Sequence, residues 1–192
     1  MIEIRELRPS ELSAAIRLRV DCWQEELAGK VEHELSFEEE LDFFTAWAKS
    51  EKEYEDRRIL LGAFENEKLL GAAFGSFAEE EDGEHAMELN GLWVEEAHRG
   101  KGISLMLMET LIQMYRVLVK NQMVAYNHHF APSNSYYRKL HGEVVRQVEQ
   151  LDGQLLVDVF LLPFAPMEKK IHEMLVKHRD KFSSDRNLVP MR

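Results

Sequence analysis

The sequence predicts a mixed α/β fold: one mostly antiparallel sheet flanked by helices, with a helical extension at the C-terminal end. Three observations predict it. Segments of strand period alternate with segments of helical period in the order β-α-α-β-β-β-α-β-α-β-β-α. Two short turns, Asn66-Glu67-Lys68 and Asp152-Gly153, each fold a pair of strand segments into a hairpin. The 192 residues also contain no internal repeat, low-complexity tract or interdomain linker, which suits one packed domain.

Each element has a local cause. Residues 2–7 alternate Ile2, Ile4 and Glu6 against Glu3, Arg5 and Leu7, as a short strand does. Ser10 offers an N-cap to a helix whose apolar positions are Leu12, Ile16, Val20, Trp23 and Leu27. Ser36, with Glu39 three residues on, forms a capping box for a second helix with the stripe Phe37, Leu41, Phe44 and Ala48. Residues 58–65 and 69–77 form the first hairpin, and the acidic stretch 79–84 reads as a solvated turn. A strand over 87–95 runs into the glycine-rich turn 99–102 and then a long helix through Ile103, Leu107, Leu111, Met114 and Leu118. A strand at 122–127 follows, and Pro132 opens a short helix carrying Tyr136 and Tyr137. The second hairpin spans 143–150 and 154–162. Pro166 begins a last amphipathic helix with Met167, Ile171, Met174 and Phe182 along one side. Residues 1–164 thus make the domain, and 165–192 a helix and tail. A helix of that length is marginal alone, so its stripe should dock on the chain's own core or on a second copy, and a homodimer is the favoured expectation.

Composition excludes several classes. With 24 basic and 35 acidic residues the net charge is −11, which argues against a general nucleic-acid-binding surface. The same acidity favours a cationic partner such as an amine, although solubility alone accounts for it equally well. Cys22 is the lone cysteine, so no intrachain disulfide and no cysteine-rich zinc site forms, and no metal is expected. The opening Met1-Ile2-Glu3-Ile4-Arg5-Glu6 is charged where a signal peptide is apolar. The most apolar stretch, 155–162, is broken by Asp158 and falls far short of the roughly 20 residues of a membrane span. A cytoplasmic protein without a membrane partner is the expectation.

The chemistry-bearing stretch is Val94-Glu95-Glu96-Ala97-His98-Arg99-Gly100-Lys101-Gly102-Ile103-Ser104. A strand ends, glycines turn the chain, and a helix starts with unbonded N–H groups and its positive dipole end. That combination binds phosphate, with Arg99 and Lys101 adding charge. A P-loop is excluded, because Glu95 and Gly102 stand where it needs Gly and Ser or Thr. A dinucleotide fingerprint is excluded by Leu105. A simple capped turn remains the competing reading. The pair His128-His129 suggests no shared metal or base site, because adjacent strand residues point to opposite faces; both histidines are expected to be peripheral.

Arg99-Gly100-Lys101-Gly102-Ile103-Ser104 resembles the Arg/Gln-x-x-Gly-x-Gly/Ala pyrophosphate loop of the GNAT superfamily of acetyl-CoA-dependent N-acetyltransferases, preceded by that family's hydrophobic strand, here Leu89 to Val94. Tyr136-Tyr137-Arg138-Lys139-Leu140-His141-Gly142-Glu143 is similar to its Phe-Tyr-x-x-Leu-Gly-Gly segment, and a closing hairpin follows. The resemblance covers about residues 2–163. Ser104 departs from the usual Gly or Ala, and His141 from the first Gly of the pair. Phe130 stands where the family has an asparagine; Asn127 and Asn134 flank it, and Asn134 is carried as the contact to the pantetheine arm.

The resemblance implies a splayed sheet whose strands 87–95 and 122–127 part to admit acetyl-CoA as co-substrate. Backbone groups of Leu92, Trp93 and Val94 would pair with the pantetheine, and Arg99, Gly100, Lys101, Gly102, Ile103 and Ser104 would hold the pyrophosphate. A primary amine, by the charge argument a small cationic one, would then attack the thioester directly. Glu88 matches a catalytic glutamate of some members and is the candidate base, against the reading of a solvated strand-start residue. Tyr137 matches the family tyrosine near the sulfur and is the candidate acid. The competing readings are a packing role for its ring, and Tyr136 as the donor. Three other functions stay open: a catalytically silent acyl-CoA-binding regulatory module, transfer of a longer acyl group, and a protein or peptide amine as acceptor.

Overall fold

The computed structural model describes residues 1–30, 34–118 and 120–186, with side chains through 178. The elements are β1 (Glu3–Glu6), α1 (Leu12–Leu27), α2 (Phe37–Lys49), β2 (Ile59–Glu65), β3 (Lys68–Phe77) and β4 (Ala86–Val94). They continue with α3 (Ile103–Val117), β5 (Gln122–His128), α4 (Asn134–Lys139), β6 (Glu143–Gln150), β7 (Leu155–Pro163) and α5 (Phe164–Arg186). The order matches the one read from periodicity. The strands form one sheet in the order β1-β2-β3-β4-β5-β7-β6. Every neighbouring pair is antiparallel except β4–β5, which is parallel.

Helices cover both faces. On one, α3 and α5 pack over Met87, Leu89, Met123, Phe160 and Leu162, with Leu107, Leu111, Met167 and Ile171 fully buried. Tyr115 of α3 is buried there too, and its hydroxyl donates to the Arg57 carbonyl (2.7 Å). On the other face, Ile16, Val20 and Phe44 of α1 and α2 pack on Ala72 and Phe74 of β3.

Local chemistry moved two boundaries from where the sequence suggested them and kept a third. Ser10 is not the cap of α1. It lies in a 3-10 turn, Pro9–Glu11, where the Glu11 carboxylate accepts from the Arg8 N–H (2.7 Å) while Arg5 grips it through two 2.8 Å bonds. That ionised acceptor is stronger than a serine hydroxyl, and it sets the helix start. Ser36 does cap α2, its Oγ accepting from the Glu39 N–H at 3.3 Å. The last helix begins at Phe164, whose N–H reaches the Asn121 carbonyl, so Pro166 falls inside the first turn where its missing N–H has no helical partner to lose.

The α5 stripe corrects the argument for a second copy. Met167, Ile171 and Leu175 are buried against the chain's own α3, so the apolar face that seemed to need a partner already has one. Phe182 lies outside the described side chains. No helix among the described residues is long and apolar enough to cross a membrane.

Candidate active site

The parallel pair β4–β5 is short. Its register runs from Ala86↔Gln122 to Leu89↔Ala125 and stops. Beyond that point β5 continues only alongside β7, to His128↔Val157, and β4 only alongside β3, to Val94↔Gly71. Residues 90–94 therefore present one backbone edge with no strand partner among the described residues. A register shift opposite Phe74 and Gly75 leaves Asn90 as the extra residue of a bulge, between Gly91, which faces Phe74, and Leu89, which faces Gly75. Gly91 has a packing reason to be glycine: an added Cβ would lie 2.0 Å from the Trp93 ring, which folds across the strand at that point.

The gap holds a cavity of about 450 Å³, lined from both helical layers. From the α3 side come Ser104, Tyr136 and Tyr137; from α1 come Arg19, Trp23 and Glu26; the strands add Leu89 to Val94 and Tyr126 to His128. Arg19, Trp23 and Glu26 are spaced i, i+4, i+7, which puts them on one stripe of the helix. The volume is in the range of a small-molecule site.

The glycine turn stands beside the mouth. Gly100 and Gly102 have φ of +72° and +81°, the left-handed region that an L side chain enters only with strain. Gly102 caps α3, whose first bond runs from the Met106 N–H to the Gly102 carbonyl (3.1 Å). The N–H groups of Ile103, Ser104 and Leu105 thus have no partner within the helix. His141, after α4, also has positive φ (+66°), the conformation expected where glycine is usual. Arg99 is tied down: its Nη atoms pair with both Glu25 oxygens (2.6 and 2.7 Å), and its Nε donates to the Val94 carbonyl (3.0 Å). The Glu25 carboxylate beside it holds the guanidinium pKa above its ordinary value.

Of the residues singled out in the sequence, Leu92, Trp93, Val94, Arg99, Ser104 and Tyr137 line the cavity. Gly100, Lys101 and Gly102 form the turn beyond it, and Ile103 is buried in the core. Asn134 is buried and committed to bracing the end of β5. Its Nδ2 donates to the carbonyls of His128 (3.0 Å) and His129 (2.9 Å), while its Oδ1 accepts from Asn127 (2.6 Å). Glu88 sits on β4 between Ser76 and Val124, two residues before the bulge and outside the cavity wall. Burial, then the nearby Asp82 and Glu79 charges, push its carboxyl up to about 7, while a hydrogen bond from Asn90 pulls the other way. Tyr137 packs on Phe160 (5.4 Å between ring centroids), and burial raises its hydroxyl pKa. Burial also pushes Tyr136 up to about 12, against the opposing effect of Ser104.

Sequence reasoning missed the α1 wall and misplaced two features. Trp23 was read as part of a core stripe, although the charges at the i−4 and i+3 positions, Arg19 and Glu26, signal a polar function on that face. The histidines do point to opposite sides, but only His129 is peripheral, bonded to Asp158 (3.0 Å). His128 is buried in the cavity wall, its Nδ1 3.1 Å from Glu26 and its ring edge-on to Trp23 (4.9 Å). The acidic stretch is not all solvated: Asp82 bonds the Tyr126 hydroxyl (2.8 Å) and Arg146 (2.7 Å), with only 4% of its side chain exposed. Among the described residues, no group of three His, Cys, Asp or Glu is placed to hold a metal ion.

Comparison with known proteins agrees with this geometry. The model of the acetyltransferase (GNAT) family matches residues 14–142. Three solved structures share the fold. A ribosomal-protein-alanine N-acetyltransferase from Brucella melitensis is 22% identical, with a TM-score of 0.64 over 84% of this chain and 99% of its own. The yncA protein of Salmonella typhimurium, solved with its cofactor acetyl-CoA, is 21% identical, with a TM-score of 0.63 over 85% and 94%. The paia N-acetyltransferase of Thermoplasma acidophilum, in complex with coenzyme A, is 20% identical, with a TM-score of 0.66 over 85% and 99%. No curated protein matches.

Proposed function

This chain belongs to the acetyltransferase (GNAT) family, which is acetyl-CoA-dependent, and from that premise we propose that it moves acetyl from acetyl-CoA to a small primary amine by direct attack in a ternary complex. The observation that carries the reading is the end of β4–β5 pairing at Leu89 and Ala125, which leaves an unpaired strand edge at a cavity beside the glycine turn. The pantetheine arm takes the place of the missing strand along Leu92 and Trp93. The pyrophosphate sits on the free N–H groups at the start of α3, with Lys101 and Arg99 close by. Asn134 acts through the β5 terminus that it braces.

The amine must first lose a proton. Glu88, with its carboxyl raised to about 7, accepts it through solvent, since it does not line the cavity itself. The amine nitrogen then bonds to the thioester carbon, and the developing oxyanion faces N–H groups of the unpaired β4 edge. The C–S bond breaks, Tyr137 gives its hydroxyl proton to the departing thiolate, and the extra proton on the new amide nitrogen returns through solvent to the Tyr137 oxygen. Its raised pKa keeps that hydroxyl protonated and available as the donor. Direct attack suits Cys22 as well: burial raises its thiol pKa, and it sits in the adjoining groove, so it is a poor acyl carrier. Calorimetric titration with CoA, followed by an assay of CoA release over a panel of amines, tests the proposal. Failure to bind CoA removes its basis, and binding without release on any amine leaves an acyl-CoA-binding module.

A further inference from the structure

The chain's net charge does not extend into the cavity wall, which carries two basic side chains, Arg19 and Arg99, against Glu26. Arg99 is paired with both oxygens of Glu25, and Glu26 lies against His128. Arg19 is different. Its side chain is 17% exposed, and its guanidinium is held among three aromatic rings, 5.3 Å from the centroids of Phe44 and Trp93 and 5.6 Å from that of Trp23. Nε donates to Glu40 (2.5 Å), which ties the group to α2 and fixes its plane. Among the described residues that is its one side-chain hydrogen bond, so both Nη atoms stay uncommitted, and neither is buried. The two Nη groups of a guanidinium offer parallel N–H vectors, which match a planar carboxylate better than a spherical anion.

A buried unsatisfied group lies on the same wall. Asn90, the extra residue of the β4 bulge, has its side-chain oxygen buried without a partner among the described residues. It is an acceptor for an N–H, and it lines the same cavity as Arg19 and Trp93. The cavity wall therefore offers an acceptor at Asn90 and a cation at Arg19.

We propose that Arg19 anchors a carboxylate on the acceptor, so that the acetylated molecule is an amino-acid-like amine with its nitrogen at Asn90 and its carboxylate at Arg19. This rests on the acetyl-transfer reading above and narrows its substrate class. The acidity of the whole chain does not decide the acceptor; the cavity wall does.

The test compares protein amino acids, each beside its decarboxylated amine, at saturating acetyl-CoA. The wild-type chain is expected to favour at least one amino acid over its amine by about 10- to 100-fold in kcat/KM, the range of a charged hydrogen-bonded pair. In Arg19→Gln that preference should fall at least about 10-fold, mainly through KM. Arg19→Lys, which keeps a cation but not the fork, should retain part of it. A purely structural Arg19 would lower turnover of both members of a pair alike and leave the preference intact. A wild-type chain that favours the decarboxylated amines overturns the inference outright. Thermal unfolding of the CoA-loaded protein with and without the same amino acids separates the two readings. Stabilisation that depends on Arg19, without turnover of any amine, keeps the carboxylate subsite and sinks the transfer reaction. Neither stabilisation nor preference sinks the subsite.

Discussion

Arg99 and Glu25 form a two-pronged ion pair, 2.6 and 2.7 Å, that ties the first residue of the glycine turn to α1 instead of leaving it free for phosphate. Both side chains are about half exposed, so the pair contributes no more than about 1 kcal/mol to stability. Its consequence is for binding. Glu25→Gln frees the guanidinium and removes a nearby negative charge, so CoA affinity should rise a few-fold while the denaturation midpoint barely moves. Calorimetry and urea unfolding report the two effects separately. Weaker CoA binding in this variant would mean that Glu25 positions Arg99 for the phosphate.

Gly102 should tolerate no side chain. Its φ of +81° strains any L residue; a Cβ would meet Leu175 only at ordinary contact, 3.5 Å, but a branched side chain would crowd the helix-start N–H groups proposed to hold the phosphate. Gly102→Val is expected to abolish CoA binding. Gly100→Ala, at φ +72° with open space around it, should cost about 1 kcal/mol of stability and serves as the folded control.

Tyr137→Phe keeps the ring that packs on Phe160 and removes the proton. We expect kcat to fall about 10-fold or more, with CoA affinity within about 3-fold of wild type. Tyr136→Phe should change kcat less. The reverse ranking would assign the proton to Tyr136.

Glu88 makes both rate and stability depend on pH. As a base it works when ionised, so kcat/KM should rise with pH up to a plateau above about 7, and Glu88→Gln should remove that limb. For stability the sign is opposite. A carboxyl raised to about 7 in the folded chain, from an ordinary 4.5, keeps its proton after the unfolded chain has lost one. Stability therefore falls as pH climbs from 4.5 to 7, by at most about 1.4 kcal/mol per pH unit from this group. Urea unfolding across that window should show a flatter dependence in Glu88→Gln, and an unchanged slope would place the carboxyl in water.

Ile171 is fully buried in the interface between α5 and α3. Ile171→Ala should lower stability by about 2–5 kcal/mol. Truncation after Phe164 removes Met167 and Leu175 as well and should lower the melting temperature further, whatever the oligomeric state. A truncated chain that melts like the full one would show that the helix detaches in solution.

The sequence by itself determined the order of elements, because apolar period and turn chemistry are local properties that survive any packing. Asp152-Gly153 closes a hairpin, and Ser36 caps a helix, for reasons contained within a few residues. The glycine turn was legible for the same cause: Gly100 and Gly102 take backbone angles that few other residues tolerate, so their function is written in their identity. Only the tertiary structure decided where β4 and β5 separate, since strand register beyond Leu89 depends on what β3 and β7 offer across the sheet. It alone brought Arg19 from one layer to Trp93 in another, and His128 to Glu26, 102 residues away in the chain. It also turned the α5 stripe inward onto α3, where the sequence showed only that an apolar face needed covering. A periodicity identifies which side of a helix is buried, but what buries it is set by the contacts of the whole fold.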